Sequence, residues 1–182
     1  TSDYACIAGS YLFSKIARLH INWAVASEFG YHEDFLTKKS LVIALSQSGE
    51  TMDIIESVKK AKARGATIAA LVNVAGSTLY RLADEKILLG AGPEKAVATT
   101  KAFTSMIGYL LLAAYELAGK LGQGQAMLHA ASRSAKRLLE RGMTKRLKTL
   151  AKQLATVSHI YIIGRGLSYP ASLEAALKIK EI

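Results

Sequence analysis

The sequence has a single cysteine, no long apolar run and few acidic side chains, and each shortage excludes a class of protein. With Cys6 as the only cysteine, no internal disulfide can form, which is typical of a chain kept in a reducing compartment. No apolar run is long enough to span a bilayer and no signal peptide is visible, so we expect a cytoplasmic protein with no membrane partner. A content of 51% hydrophobic and 21% charged residues predicts a globular fold and excludes disorder.

Basic residues exceed acidic ones by 24 to 14, which favours anionic partners in general. Much of the excess falls in one helical stretch, opposed by Glu140 and made up of Arg133, Lys136, Arg137, Arg141, Lys145, Arg146, Lys148 and Lys152. A nucleic-acid-binding helix is one interpretation. The stretch has no aromatic residue and no recognisable DNA-binding motif. We therefore predict no nucleic-acid partner, and interpret it as a solvated linker face or a surface that meets acidic parts of a longer protein.

The stretch from Leu41 to Thr51 predicts an anion site. Its first residues form an apolar run typical of a strand buried on both faces, and the residues from Met52 onward have helical spacing. Between them lies a loop with three hydroxyls, an amide and a glycine: Ser46, Gln47, Ser48, Gly49 and Thr51. The free N–H groups and dipole of a helix start favour an anion, and hydroxyls add neutral donors. Ordinary helix capping by one serine is the alternative.

Alternating strand and helix patterns predict an α/β fold, with a parallel sheet flanked by helices on both faces. We predict strands at 4–9, 41–45, 67–72, 86–89 and 160–163. The first is followed by a turn at Gly9-Ser10 and a helix, and Ser77 is predicted to cap a short helix through Leu82. A long helix is expected from about Lys101 to Ala118, and a last helix places Glu174, Lys178 and Glu181 on one face.

Three motifs resemble those of the sugar isomerase (SIS) domain family and occur in the same order along the chain as in that family. The resemblance is strongest to the isomerase half of the glutamine–fructose-6-phosphate transaminases. The first is Ser46-Gln47-Ser48-Gly49-Glu50-Thr51. The second, Val97 to Thr104, resembles the pattern V-A-S-T-K-A-F-T. The third resembles G-R-G, Y-P and L-E-G-A-L-K-L-K-E-I, and runs from Gly164 to Ile182. The resemblance implies a flavodoxin-like three-layer fold, with a first SIS domain at 1–122, linking helices at 123–157 and the start of a second SIS domain at 158–182.

The resemblance also implies roles for individual residues. Phosphate binding is expected at Ser46, Gln47, Ser48 and Thr51, and sugar binding at Ser10, Val97 and Thr99. Ser10 is assigned because the family's Gly-Thr-Ser-Tyr is matched to Ala8-Gly9-Ser10-Tyr11. Lys178 and Glu181 are the implied catalytic residues, with Glu181 as the base. From the residues alone, Thr99 and Thr100 could equally cap a helix. The Glu174–Lys178–Glu181 series could equally be an ordinary ion-pair ladder.

The implied reaction converts fructose 6-phosphate to glucosamine 6-phosphate without a metal or organic cofactor. In such a protein we expect a homodimer and a glutaminase domain before Thr1. The imine-forming lysine and ring-opening histidine are expected beyond Ile182, so residues 1–182 alone are expected to be inactive. A related sugar-phosphate isomerase, an amino-sugar-phosphate deaminase and a non-catalytic sugar-phosphate-sensing module are the alternative functions.

Overall fold

The computed structural model describes residues 1–140 and 143–181. The basic residue Arg141 therefore lies outside the described residues. The strands are β1 (Leu41–Ser46), β2 (Thr67–Val72) and β3 (Glu85–Leu88). The helices are α1 (Ser2–Leu12), α2 (Ala26–Phe29), α3 (Met52–Ala63), α4 (Thr78–Leu82), α5 (Lys101–Leu117), α6 (Leu121–Glu140), α7 (Met143–Leu154) and α8 (Ser168–Glu181), and a π-helical turn, Phe13–Ala17, extends α1.

The three strands form one parallel sheet in the order β1-β2-β3. The register pairs Leu41 with Thr67 and Ser46 with Val72, and Val72 pairs in turn with Leu88. The carboxyl ends of all three strands therefore meet at one edge, where binding loops of open α/β sheets are found. This confirms the prediction of a parallel sheet flanked by helices.

Each face of the sheet carries its own apolar cluster. On one face Leu45 and Leu71 pack with Met106 and Leu110 of α5 and with α1. On the other face, side chains of the sheet pack against α3 and α4. The sheet contributes Ala44, Ile68, Ala70 and Val72, α3 contributes Val58 and Ala61, and α4 contributes Leu79. Each fully buried large side chain contributes about 1.5–3 kcal/mol. Exposed ion pairs contribute about 0–1 kcal/mol, so these clusters decide the three-layer arrangement.

The predicted strand at 4–9 is wrong, because these residues lie within α1. A short apolar run does not by itself distinguish a strand from a buried helix. Ala5, Ala8 and Leu12 are buried at helical spacing, and α1 packs on α5. A Cβ added at Gly9 would lie 3.0 Å from Cδ1 of Leu110, so this glycine serves close helix packing. It does not form the predicted turn.

Helices occupy most of the segment predicted as linking helices, since α6 and α7 cover residues 121–140 and 143–154. The division into domains remains a prediction. The predicted strand at 160–163 is not formed: none of the described strands pairs with it, and Tyr161 and Ile163 are 87% and 91% exposed. In the described parts of the chain, no helix has the length and apolar character needed to cross a membrane.

Asp84 ties the start of β2 to the end of α3. Its Oδ2 accepts a hydrogen bond from the N–H of Ile68 at 2.9 Å, and its Oδ1 accepts one from Nζ of Lys62 at 2.7 Å. The Lys62 hydrogen bond, followed by the Ile68 N–H, holds the pKa of the Asp84 carboxyl below its ordinary value. Such a carboxyl adds stability above its unfolded pKa and loses it as the pH falls through the folded pKa.

Asp84→Asn is therefore expected to lower the free energy of unfolding at pH 7. It should also reduce the loss of stability on acidification below an unfolded pKa of about 4. Urea unfolding at pH 7 and at pH 3 measures both effects. Glu85→Gln, at the exposed neighbouring carboxylate, is the matched control. Equal pH dependence in the Asp84→Asn chain and the wild type would show that Asp84 does not contribute in this way.

Candidate functional site

The loop between β1 and α3 has the geometry of an anion cradle. The hydroxyl of Ser46 is buried and accepts the N–H of Gly49 at 3.0 Å, and the hydroxyl of Ser48 accepts the N–H of Glu50 at 3.2 Å. These hydroxyls still have their own protons to donate. Among the described residues no side chain caps the start of α3 at Thr51. The first turn of this 12-residue helix therefore has N–H groups that could donate to an anion, and the predicted phosphate contacts at this loop remain a prediction.

The segment between β2 and α4 holds this loop in place. The N–H of Asn73 donates to the carbonyl of Gln47 at 3.0 Å, and the N–H of Leu79 donates to the carbonyl of Gly49 at 2.9 Å. The N–H of Thr78 donates to Oε1 of Glu50 at 2.8 Å and holds the pKa of that carboxyl below its ordinary value. The loop from Ser46 to Thr51, which we call the phosphate loop after its predicted role, is therefore held in place by the protein's own hydrogen bonds.

Gly49 is required by both conformation and space. Its φ is +68°, and a Cβ at this position would lie 2.2 Å from Oγ of Ser77. Ser77 is 3% exposed, and its hydroxyl has no hydrogen-bond partner among the described residues. It precedes the short helix α4, as predicted, but makes no side-chain cap hydrogen bond. The glycine thus allows the loop to lie directly against the β2–α4 segment.

The loop after β3 carries the predicted sugar contacts and is fixed at two points. Asn73 donates to the carbonyl of Gly92 at 2.7 Å and accepts the N–H of Ala91 at 3.1 Å. Asn73 therefore joins this loop to the one that supports the phosphate loop. Thr99 is half-buried, while Val97 is 96% exposed.

The start of α5 is already occupied by a carboxylate from the protein. Oε1 of Glu94 accepts the N–H of Thr100 at 3.3 Å and the N–H of Ala102 at 3.1 Å. Thr100, at the N-cap of this helix, makes no side-chain cap hydrogen bond, and Glu94 instead supplies the acceptor that the capping alternative assigns to a threonine. Because an internal anion fills this helix start, the start of α3 is the better candidate for a ligand phosphate.

The predicted catalytic residues form a compact cluster on α8. Nζ of Lys178 lies 2.5 Å from Oε2 of Glu181 and 3.3 Å from Oε1 of Glu174. It also donates to the hydroxyl of Thr1 at 3.2 Å, and that hydroxyl donates to Oε1 of Glu174 at 3.1 Å. Thr1 has no predicted role. No sequence signal could have found its contact with residues more than 170 positions away.

Lys178 remains an ammonium at neutral pH. Its side chain is 18% exposed, and burial acts to lower its pKa. Hydrogen bonding and charge from Glu181 and Glu174 outweigh burial, so the pKa lies above its ordinary value. Lys178 can therefore donate protons or stabilise negative charge, but it does not supply a free amine.

The structure does not place Ser10 where the prediction required. Ser10 lies within α1, and its hydroxyl donates to the carbonyl of Ile7 at 2.7 Å. It lines a cleft of about 330 Å³ with Tyr11, Ser14, His20, Ile21, Asn22 and Trp23, none of which belongs to the phosphate loop. The chain also has a Thr-Ser pair at Thr1-Ser2. Thr1 is the N-cap of α1, and Ser2 is its first residue.

Cys6 is partly buried, where the sequence predicts a core residue. Burial raises the pKa of its thiol to about 12, with a smaller contribution from Asp3. Since the thiolate is the nucleophilic form, Cys6 is unsuited to nucleophilic catalysis at neutral pH. Within 1–140 and 143–181, no group of three or more histidine, cysteine and acidic residues is arranged to hold a metal ion.

Comparison with known proteins agrees with the fold. The SIS domain family profile matches residues 1–115. The chain belongs to the SIS domain family. It is 40% identical over 189 residues to the isomerizing glutamine–fructose-6-phosphate aminotransferase of Brucella abortus, and 37% identical over 185 residues to that of Pyrococcus horikoshii. In both cases the whole of this chain is covered, but only 31% of the relative.

Among solved structures, the C-terminal domain of glucosamine-fructose-6-phosphate aminotransferase from Francisella tularensis has a TM-score of 0.86 and 31% identity. The match covers 100% of this SIS chain and 53% of the Francisella chain. This chain therefore spans about a third of the length of its curated relatives and about half of the solved domain. The SIS fold that the motifs implied is thus confirmed. The roles of the individual residues remain predictions.

Gly49→Ala and Gly76→Ala form a matched pair, because both glycines have positive φ but only Gly49 lacks space. Nothing lies within 4 Å of a Cβ at Gly76. Both variants should lose about 1 kcal/mol of stability from the left-handed backbone. Gly49→Ala should also displace the loop and weaken sugar-phosphate binding by about tenfold or more, the loss of at least one hydrogen bond to a charged group. Calorimetric titration measures this, and equal affinities of the two variants would contradict the cradle assignment.

Proposed function

We propose that this SIS chain forms part of the isomerase unit of an isomerizing glutamine–fructose-6-phosphate aminotransferase, which makes glucosamine 6-phosphate from fructose 6-phosphate. The observation that carries the proposal is the contact of 2.5 Å between Nζ of Lys178 and Oε2 of Glu181. A carboxylate can accept and return a proton, and the neighbouring ammonium can stabilise the negative charge that develops on the substrate. The substrate is inferred from the relatives, which are isomerizing glutamine–fructose-6-phosphate aminotransferases.

In this proposal the phosphate of the substrate binds at the start of α3. Ser46, Gln47, Ser48 and Thr51 supply neutral donors there, together with the first N–H groups of the helix. Val97 and Thr99, on the loop joined to the phosphate loop through Asn73, contact the sugar. The half-buried hydroxyl of Thr99 suits an orienting hydrogen bond. Val97, with its exposed side chain, offers its backbone.

The proposed chemical step is a proton transfer between C1 and C2. The Glu181 carboxylate removes a proton from C1, the electron pair of that C–H bond forms a C1–C2 double bond, and the π pair of the C2 imine or carbonyl moves to its heteroatom, which takes up a proton. The same carboxyl then returns the first proton to C2, as the C1 hydroxyl loses its proton and becomes a carbonyl oxygen, which converts the ketose into an aldose. Lys178, as an ammonium 2.5 Å from Glu181, stabilises the carboxylate and the negative charge that develops on the substrate. No step requires a metal or an organic cofactor.

The alternative functions share the phosphate loop but differ at α8. A sugar-phosphate-sensing module needs no base, so the Lys178–Glu181 pair favours an enzyme. A related isomerase or an amino-sugar-phosphate deaminase would use the same pair. The identity of 37–40% across the whole chain to isomerizing aminotransferases favours the transaminase. We further propose that the complete protein is a cytoplasmic homodimer in which a glutaminase domain supplies ammonia.

Glu181→Gln in the full-length protein should abolish exchange of the transferred proton with solvent deuterium. The amide keeps the shape of the carboxyl but cannot accept the proton, so fructose 6-phosphate should still bind. Proton NMR of the sugar in deuterium oxide measures the exchange, and calorimetry measures the binding. Lys180→Gln, at an exposed residue on the same helix, is the control. Wild-type exchange in the Glu181→Gln protein would refute the assignment, and we expect no turnover from residues 1–182 alone.

A further inference from the structure

The short helix α4 is capped by the phosphate loop and not by its own N-cap residue. Ser77 is the N-cap of α4, and its hydroxyl makes no cap hydrogen bond. The N–H of Thr78 instead donates to Oε1 of Glu50 at 2.8 Å, and the N–H of Leu79 donates to the carbonyl of Gly49 at 2.9 Å. The first two N–H groups of α4 are therefore satisfied by two neighbouring residues of the phosphate loop.

The Ser77 hydroxyl is left without a hydrogen bond in this arrangement. The residue is 3% exposed, and its Oγ has no partner among the described residues. It faces Gly49, because a Cβ built on that glycine would lie 2.2 Å from the Ser77 Oγ. A buried hydroxyl without a partner is unfavourable, and a serine at an N-cap ordinarily accepts an N–H of the first turn. The docked loop thus uses an N–H group, that of Leu79, which the Ser77 hydroxyl could otherwise accept.

Glu50 supplies the charged part of the contact between the loop and α4. It precedes Thr51, the N-cap of α3, so it stands beside the proposed phosphate site. Hydrogen bonding from Thr78 holds the pKa of the Glu50 carboxyl below its ordinary value, with a smaller contribution from the charge of Arg81 on α4. Arg81 also donates to the hydroxyl of Thr78 at 2.9 Å and to the carbonyl of Gly76. The negative charge of Glu50 is therefore compensated on α4 and not at the start of α3.

We propose that Glu50 is a positioning residue, which takes the place of Ser77 as the cap of α4 and so holds the phosphate loop in its binding conformation. The inference rests on the phosphate site of the proposed function and deepens it. Two arrangements of the loop then compete. In one the loop is docked on α4 and Ser77 is unpaired, and in the other Ser77 caps α4 and the loop is released. Because the phosphate binds the docked arrangement, its apparent affinity falls in proportion to the docked fraction.

Charge alone predicts the opposite effect of Glu50. A carboxylate beside a phosphate site repels the phosphate, so removal of the charge should tighten binding. If Glu50 positions the loop, Glu50→Ala should instead weaken the binding of fructose 6-phosphate and of inorganic phosphate about tenfold, because about a tenth of the loop stays docked. Glu50→Gln should bind at least as tightly as the wild type, since its amide oxygen still accepts the Thr78 N–H and the repulsion is gone.

Ser77 provides a second test, with the opposite sign. In Glu50→Ala the Ser77 hydroxyl can take over the cap of α4, which favours the released loop. Ser77→Ala removes that competing cap, so the double variant Glu50→Ala/Ser77→Ala should regain most of the lost affinity. A residue that only supports the fold would lower the affinity further. In the wild-type background, Ser77→Ala should not lower the midpoint of urea unfolding, because the hydroxyl makes no hydrogen bond in the docked arrangement.

The experiment uses the full-length protein and measures the binding of fructose 6-phosphate and of inorganic phosphate by calorimetry at neutral pH. The wild type is compared with Glu50→Ala, Glu50→Gln, Ser77→Ala, the double variant and Glu56→Ala. Glu56→Ala is the matched control, because Glu56 is an exposed carboxylate on α3 that pairs with Lys59 at 2.8 Å and does not cap α4. Its affinities should match those of the wild type. Urea unfolding shows which variants are folded.

The outcomes distinguish this inference from the proposed function. A wild type that binds inorganic phosphate but not fructose 6-phosphate would overturn the proposed function, and inorganic phosphate would still test the loop. A folded Glu50→Ala protein that binds as tightly as the wild type would overturn the role of Glu50, as would equal weakening in Glu50→Gln or Glu56→Ala. A double variant that binds no better than Glu50→Ala would overturn the competition with Ser77. If the double variant does not fold, a lowered unfolding midpoint of Ser77→Ala overturns that competition, and an unchanged or raised midpoint supports it.

Discussion

The site depends on the parallel pairing of β1 with β2. The register from Leu41–Thr67 to Ser46–Val72 brings the two strands to the same edge of the sheet, so that the loops after them lie side by side. Backbone hydrogen bonds from Asn73 and Leu79 then join those loops. A slip of one residue would reverse the faces of β1 and expose its buried side chains, so the apolar clusters that hold the sheet also hold the phosphate loop.

The N-termini of α3 and α5 differ in how their free N–H groups are satisfied. The start of α5 is satisfied internally by Glu94, which also fixes the end of the loop that carries Val97 and Thr99. The start of α3 keeps its donors and is surrounded by hydroxyls and backbone N–H groups. In the proposed function, these neutral donors would bind the phosphate through preorganised hydrogen bonds rather than through a cation. The cationic centre lies in the α8 cluster, where Lys178 is placed between two carboxylates. Binding and proton transfer are thus assigned to different elements.

Much of the fold and part of the site could be predicted from the sequence. The apolar run before Ser46 and the helical spacing after Met52 indicated β1, its loop and α3, because both patterns depend only on local burial. The strand predicted at 4–9 was wrong because a run with alanine and glycine fits both a buried strand and a closely packed helix. Packing on α5 favours the helix, and a local pattern does not show that packing. Isoleucines at 160–163 form a strand only where a neighbouring strand supplies hydrogen bonds. The contact of Thr1 with α8 is tertiary, and no local pattern encodes it. The capping of α5 by Glu94 is local, but its spacing of six and eight residues differs from that of a capping box.

The central claim is that the sugar phosphate is received at the start of α3 and not at the start of α5. A crystal structure of the full-length protein with fructose 6-phosphate tests it most directly. The phosphate should lie within hydrogen-bond distance, about 2.7–3.2 Å, of the Ser48 hydroxyl and of N–H groups in the Ser46–Thr51 loop. The Glu94 carboxylate should still cap α5. A phosphate bound at the start of α5 with Glu94 displaced, or one bound away from both helix starts, would contradict the claim.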